Sequence, residues 1–209
     1  MKLSSGYYWP DRIREKDIEY AVKKLHQSER ILDYCEKDLI IQAGGCVGLY
    51  PKIYSKAFKQ VITFEPDPEN FKCLGANLKG RDNVKKVLGA LGDSCKDGFY
   101  QKYGYSTGYI AVEGLPIKIY SIDSLNLTRC SAIQLDIEGY ELPALVGAYR
   151  TIEKFKPIIQ LEVNKNVKKE PEKDPNYNFL RLFGYTFIKR VGKDHIYGVP
   201  HAETQDNIG

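Results

Sequence analysis

The chain has no apolar run long enough to cross a membrane, and Met1 to Pro10 lacks the apolar core of a signal peptide, so a cytoplasmic location is expected. Its five cysteines, at 35, 46, 73, 95 and 130, form no CxxC pair and show no metal-ligand spacing. That odd, scattered set weighs against a disulfide framework and leaves reduced, packed thiols. Only Cys46 falls inside a motif, and with no histidine near it in sequence a packed side chain is expected rather than a nucleophile. No glycine turn is followed by Gly-Lys-Ser/Thr, which removes a P-loop. A basic stripe with interleaved aromatics is also missing, and a net charge of +4 is too mild and dispersed to argue for nucleic acid. There is no internal repeat and no low-complexity tract. What is left is 209 residues of ordinary composition, 43% hydrophobic and 28% charged, enough for one domain with a substantial core. Tyrosine is the one surplus, with 16 copies.

The chain is organised around Leu39 to Tyr50, LIIQAGGCVGLY. An apolar run stops at Gln42, Gly44, Gly45 and Gly48 follow, and an amphipathic segment starts at Leu49. That order is strand, glycine turn, helix. The next strand, VITFE, ends on Glu65 and is followed by Pro66, Asp67 and Pro68. In a doubly wound sheet an acid at the end of the second strand lies beside the glycine turn, where it can accept hydrogen bonds from both ribose hydroxyls of an adenosine. Asp67 and Pro68 already suit the Ncap and N1 positions of the following helix, which leaves Glu65 for that clamp. Dinucleotide folds need glycines at i, i+2 and i+5, and neither Gly44 nor Gly45 starts such a set. A nucleoside ligand without a pyrophosphate remains, of which S-adenosylmethionine is the common one.

IQAGGCVGLY, VITFEPDPENF, ALGD, SIDSL, QLDIEGYELPALVGA and KPIIQLEV, in this order and at these spacings, resemble the FkbM-type family of S-adenosylmethionine-dependent methyltransferases over roughly residues 39 to 199. The resemblance implies an α/β, Rossmann-like class I methyltransferase fold: a mostly parallel seven-stranded sheet with a C-terminal antiparallel hairpin and helices on both faces. It also implies cofactor contacts from Gln42, Gly44, Gly45, Gly48, Glu65, Pro66, Leu91, Asp93 and Asp136, with Asp93 placed to accept from the adenine amino group and Leu91 to pack on the ring. An ordinary turn aspartate after a glycine is the plainer alternative for Asp93, and the cofactor contact is favoured over it. Where the family usually has an acid, a glycine and an asparagine, this chain has Gln42, Gly44 and Cys46, and Gln42 cannot counter the charge of a methionine ammonium group.

Three regions follow. Residues 1–38 are an aromatic arm and helices, 39–199 the methyltransferase domain, and 200–209 a tail. Tyr7, Tyr8 and Trp9 either fold over the site as a lid or cover the sheet edge. Residues 97–114 read as a hairpin or flap, with Ser106 and Thr107 near the cofactor if it folds inward. Leu142, Leu145, Val146, Tyr149, Ile152 and Phe155 share one face of a helix. Ligands of an open α/β sheet sit beyond the carboxyl ends of its strands, so Asp136, Glu138, Glu162 and Asn164 should converge on the rim that carries Gly44 and Glu65.

Methyl transfer needs a nucleophilic oxygen held in line and relieved of its proton. Asp136 is the first candidate for that, with Glu138 beside it; helix capping by Glu138 and Glu141 is the plain alternative. Catechol O-methyltransferase has a similar fold and binds magnesium at equivalent strand ends, which makes Asp136, Glu162 and Asn164 the set for a divalent metal. Gly139 stands where that enzyme has a lysine, so no metal is the favoured expectation. The expected activity is O-methylation of a sugar, glycan or other polar metabolite, with neither nucleic acid nor membrane as partner. A catalytically weak module that keeps the fold is the alternative.

Overall fold

The structure, a computed structural model, describes residues 1–103, 107–163 and 171–200. In chain order the elements are β1 (Lys2–Ser4), β2 (Tyr7–Trp9), α1 (Glu15–Lys23), a 3-10 segment (Leu25–Asp33), β3 (Leu39–Ala43), α2 (Leu49–Ala57), β4 (Gln60–Glu65), α3 (Pro68–Asn77) and β5 (Val84–Leu88). Next come β6 (Ala90–Leu91), β7 (Lys96–Tyr103), β8 (Thr107–Ala111), β9 (Leu115–Tyr120), a 3-10 turn (Ile122–Leu125) and β10 (Ala132–Leu135). The chain closes with α4 (Glu141–Val146), α5 (Tyr149–Phe155), β11 (Ile158–Glu162), α6 (Pro175–Arg181), β12 (Thr186–Val191) and β13 (Asp194–Gly198).

Seven strands form one mixed sheet in the order β12-β13-β11-β10-β3-β4-β5. β3, β4, β5, β10 and β11 run parallel, and β13 enters antiparallel to both β11 and β12. β3, β4, β10 and β11 are largely apolar on both faces because both are covered, apart from one row of buried polar side chains, while the outer strand β5 exposes Lys85 and Lys86. Leu39, Ile41, Ala43, Ile133 and Leu135 face a core closed by Ala144, Leu145, Ile152, Leu180 and Phe183 of the α4–α6 side. Ile40, Val61 and Ala132 face the opposite core, closed by Tyr54, Leu74 and Leu78 of α2 and α3 with Ile31. Helices on both faces and a terminal antiparallel hairpin are thus present as expected.

Three expectations change. The aromatic arm is a hairpin, β1–β2, and neither lid nor edge cover: Trp9 packs with Ile13, Val47 and Cys73, while Asn77 of α3 accepts from Tyr8 N at 2.7 Å and donates to Tyr8 O at 2.9 Å. Within the stretch read as a hairpin or flap, β7 and β8 do pair antiparallel, but as part of a second, four-stranded sheet of order β6-β9-β7-β8. The single helix read through 141–155 is two. A Cβ on Gly147 would meet Gly92 O at 2.0 Å, and its own carbonyl accepts from Asp123 N at 2.9 Å, so the chain turns there. The Asp123 carboxylate then accepts from Arg150 N and Thr151 N, both at 2.9 Å, restarting the helix as α5. The break leaves Val146 and Tyr149 exposed.

Candidate functional site

A groove of about 420 Å³ runs over the carboxyl ends of the strands. One end is built by neighbours in sequence. Gly44 adopts φ +82°, and a Cβ there would lie 2.0 Å from Asp136 O, so the turn passes close under the end of β10 only as glycine. Glu65, almost fully buried, accepts from Cys46 N at 2.6 Å through Oε2 and from Asp67 N at 2.9 Å through Oε1. Burial pushes its carboxyl up to about 7 against these hydrogen bonds. An ionised carboxylate has about four acceptor sites, so capacity remains for a ligand hydroxyl. Asp67 caps α3, with Oδ1 accepting from Glu69 N at 2.8 Å and Asn70 N at 3.1 Å, as read from the sequence.

The other end gathers distant residues. Asp136, Glu138 and Glu162 each place a carboxylate oxygen within 4.8 Å of the others, and Lys193 Nζ lies 3.1 Å from Glu162 Oε1. Burial and the Glu162 charge beside it raise Asp136 well above the usual carboxylate range. Glu162 feels burial in the same sense, but hydrogen bonds from Asp136 and Lys193 outweigh it and hold its carboxyl low. The two carboxyls titrate as one coupled pair, with Asp136 the harder to ionise. Asp194, pushed up to about 6 by burial, pairs in register with Glu162 and accepts from Gln160 Nε2 at 2.6 Å. Tyr20 of α1 and Lys24, the C-cap of that helix, line this end as well. The three carboxylate oxygens stand close enough together to hold a cation between them, with the Lys193 ammonium competing for Glu162.

Of the residues expected at a site, Gly44, Gly45, Glu65, Pro66, Leu91, Asp136, Glu138 and Glu162 all line the groove. Gln42, Gly48 and Asp93 do not. Gln42 is fully buried in β3, where Oε1 accepts from Thr63 Oγ1 and Nε2 donates to Ala43 O at 3.0 Å. Gly48 serves as N-cap of α2 with φ +91°. Asp93 is exposed and paired with Lys96 at 2.7 Å. Asn164, Ser106 and the Thr107 side chain lie outside the described residues. No side chain caps α4: Glu141, its first residue, instead accepts from Ile137 N at 3.1 Å and Gly139 N at 3.3 Å of the preceding turn. Burial drives the Cys46 thiol strongly upward, consistent with an inert packed thiol whose backbone N–H does the work. Sequence reading missed Tyr20, Lys24, Tyr50, Tyr100, Lys193 and Asp194. Only the last two left a signal: in an antiparallel terminal hairpin, the start of the last strand must return to the carboxyl rim of its parallel neighbour.

A sheet in this order, with a glycine turn after its first parallel strand and an acid ending the second, defines a class I methyltransferase fold. The chain belongs to the FkbM methyltransferase domain family, whose model matches residues 43–187. Among solved structures it is similar to the methyltransferase FkbM from Methylobacillus flagellatus KT at 17% identity and a TM-score of 0.53, covering 78% of this chain and 44% of that one. It spans under half the length of that protein. It is also similar to precorrin-6y C5,15-methyltransferase from Geobacter metallireducens GS-15, at 13% identity, TM-score 0.51 and coverage of 92% and 93%. The fibrillarin pre-rRNA processing protein of Methanococcus jannaschii matches at 14% identity, TM-score 0.50 and coverage of 78% and 67%. No curated protein matches the chain. Among the described residues no helix is long and apolar enough to cross a membrane.

Proposed function

We propose that the groove binds S-adenosylmethionine and that the protein transfers its methyl group to a hydroxyl of a sugar, glycan or other polar metabolite. The observation that carries this is Glu65, a buried carboxylate fixed by two backbone amides on the groove wall beside a glycine turn that a Cβ would fill. Glu65 would hold the ribose hydroxyls, Leu91 and Pro66 the base, and Gly44 and Gly45 the passage toward Asp136. Bound there, the cofactor supplies a methyl group already activated by a positive sulfur. The carboxyls of Glu162 and Asp194 supply the negative charge that Gln42 lacks. Removal of the acceptor's proton falls to the Asp136–Glu162 pair, which carries one negative charge and sits against Lys193. A non-catalytic binding module is the weaker reading, since it was motivated by Gln42 and Cys46, and neither side chain has to carry the cofactor's charge.

Calorimetric titration with S-adenosylhomocysteine, with NAD as control, tests the cofactor. Glu65→Ala should weaken binding at least about tenfold, since it removes a charged acceptor from two hydroxyls. Hydroxyl donors favour the ionised carboxylate, so wild-type affinity should rise as the pH climbs through about 7. Equal affinity in the variant, or a flat pH profile, would remove the clamp. Acceptor hydroxyls are then screened by methyl transfer onto polar metabolites and glycans.

A further inference from the structure

Parallel strands buried on both faces ordinarily carry apolar side chains throughout. Here four adjacent strands break that rule at one height. Gln42 of β3 is in register with Thr63 of β4 on one side and with Gln134 of β10 on the other, and Gln134 is in register with Gln160 of β11. All four are fully buried, on the face that also carries Ile40 and Ala132. The ends of this row are bonded. Thr63 Oγ1 donates to Gln42 Oε1, and Gln160 Nε2 donates to Asp194 Oδ2 at 2.6 Å. The middle is open: Gln134 Nε2, Gln134 Oε1 and Gln160 Oε1 reach neither a partner among the described residues nor solvent.

Buried amides left unpaired are costly and uncommon. Neighbouring strands lie about 4.8 Å apart, a spacing at which in-register glutamine amides bond to one another. The free atoms are the complementary ones. Gln42 Nε2 has a second hydrogen beyond the one given to Ala43 O, Gln134 lacks both a donor and an acceptor, and Gln160 lacks a donor to its Oε1. We propose that Thr63, Gln42, Gln134 and Gln160 form one directional hydrogen-bonded row, each donating to the next, that ends on Asp194 and orients its carboxylate. With Oδ2 committed to Gln160, Oδ1 is the oxygen left for a groove ligand. These four are positioning residues. They link the strand that carries Glu65 to the opposite end of the groove, whatever the groove binds.

The test is side-chain amide NMR on the whole chain. Thr63 lies three strand spacings from Gln160, about 14 Å, too far for a direct effect. Thr63→Val removes the first donor, so the side-chain amide resonances of Gln134 and Gln160 should both shift, and Thr63→Ser, which keeps the hydroxyl, should restore them. A shift confined to Gln42 overturns the row. Gln134→Met gives an independent check if Thr63→Val fails to fold. Interrupting the row should move the Gln160 amide and the Asp194 carboxyl carbon and lower Tm by about 3 °C or more. A raised Tm with unmoved Gln160 and Asp194 signals would mean that the amide is unpaired in the native state, and the row does not exist.

Discussion

The two ends of the groove satisfy their carboxylates in different ways. Glu65 is held by backbone amides of Cys46 and Asp67, all contributed within a short stretch of chain. Asp136 and Glu162 are held by each other and by Lys193, drawn from the residue after β10, the end of β11 and the turn before β13, with α1 and its C-cap adding Tyr20 and Lys24. A carboxylate fixed by the backbone keeps its charge in one place, which suits recognition. A pair coupled through its side chains can pass a proton between its members, which suits moving one. The ends meet at one point, where Gly44 passes under Asp136 O.

That meeting point gives the largest expected effect. Gly44→Ala puts a Cβ 2.0 Å from a backbone oxygen at a φ of +82°, so neither a rotamer change nor a small shift relieves it. The expected loss is about 3–5 kcal/mol of stability, combining strain at positive φ with overpacking. Denaturant unfolding measures it. An unchanged midpoint would show that β10 can move away from the turn, and that the two ends are mechanically separate.

Asp136→Asn separates the ends by function. Asp136, the harder of the pair to ionise, hydrogen-bonds to Glu162, and an asparagine amide donates in the same direction, so fold and S-adenosylhomocysteine affinity should change less than about twofold. Turnover should fall about a hundredfold or more, because the amide cannot exchange a proton with Glu162 and the pair can no longer pass one on. Lost binding instead of lost turnover would make Asp136 part of the recognition end and dissolve the contrast.

The same contrast explains what the sequence disclosed. Gly44, Gly45, Glu65, Pro66 and the Asp67 cap were legible because residues adjacent in the chain are adjacent in space there. Gln42 misled for a geometric reason. It shares a sheet face with the rim residues but sits one pleat deeper, at the level of Thr63, so its amide bonds within the sheet. Asp93 misled because the chain leaves the groove after Leu91, and Lys96 then takes its carboxylate. The Asp136 end was half legible: strand-final acids mark the rim, but nothing local announces that α1 lays Tyr20 and Lys24 across it. The break at Gly147 was hidden for a similar reason, since the atom that excludes a Cβ belongs to Gly92.

The smallest expected effect probes whether the Glu65 end is as local as it looks. Asp67, next to the clamp and almost fully buried, uses Oδ1 to cap α3, while Oδ2 meets Arg12 at 3.1 Å from the N-terminal segment and Lys102 at 2.9 Å from β7. Lys102 also reaches Glu69 Oε2 at 2.9 Å. Both cations come from far along the chain, and Lys102 is 41% exposed, so solvent screens much of its attraction. Lys102→Ala should therefore cost less than about 1 kcal/mol, with Arg12 still covering Oδ2. Arg12→Ala with Lys102→Ala should cost more than the two singles summed, because only the double variant leaves a buried carboxylate oxygen without a cation. Thermal unfolding of the four proteins at low and high salt completes the cycle. Additive losses would mean that Asp67 is held by its cap alone and the Glu65 end is local; a coupling that persists in salt would mean that this end, too, is assembled across the fold.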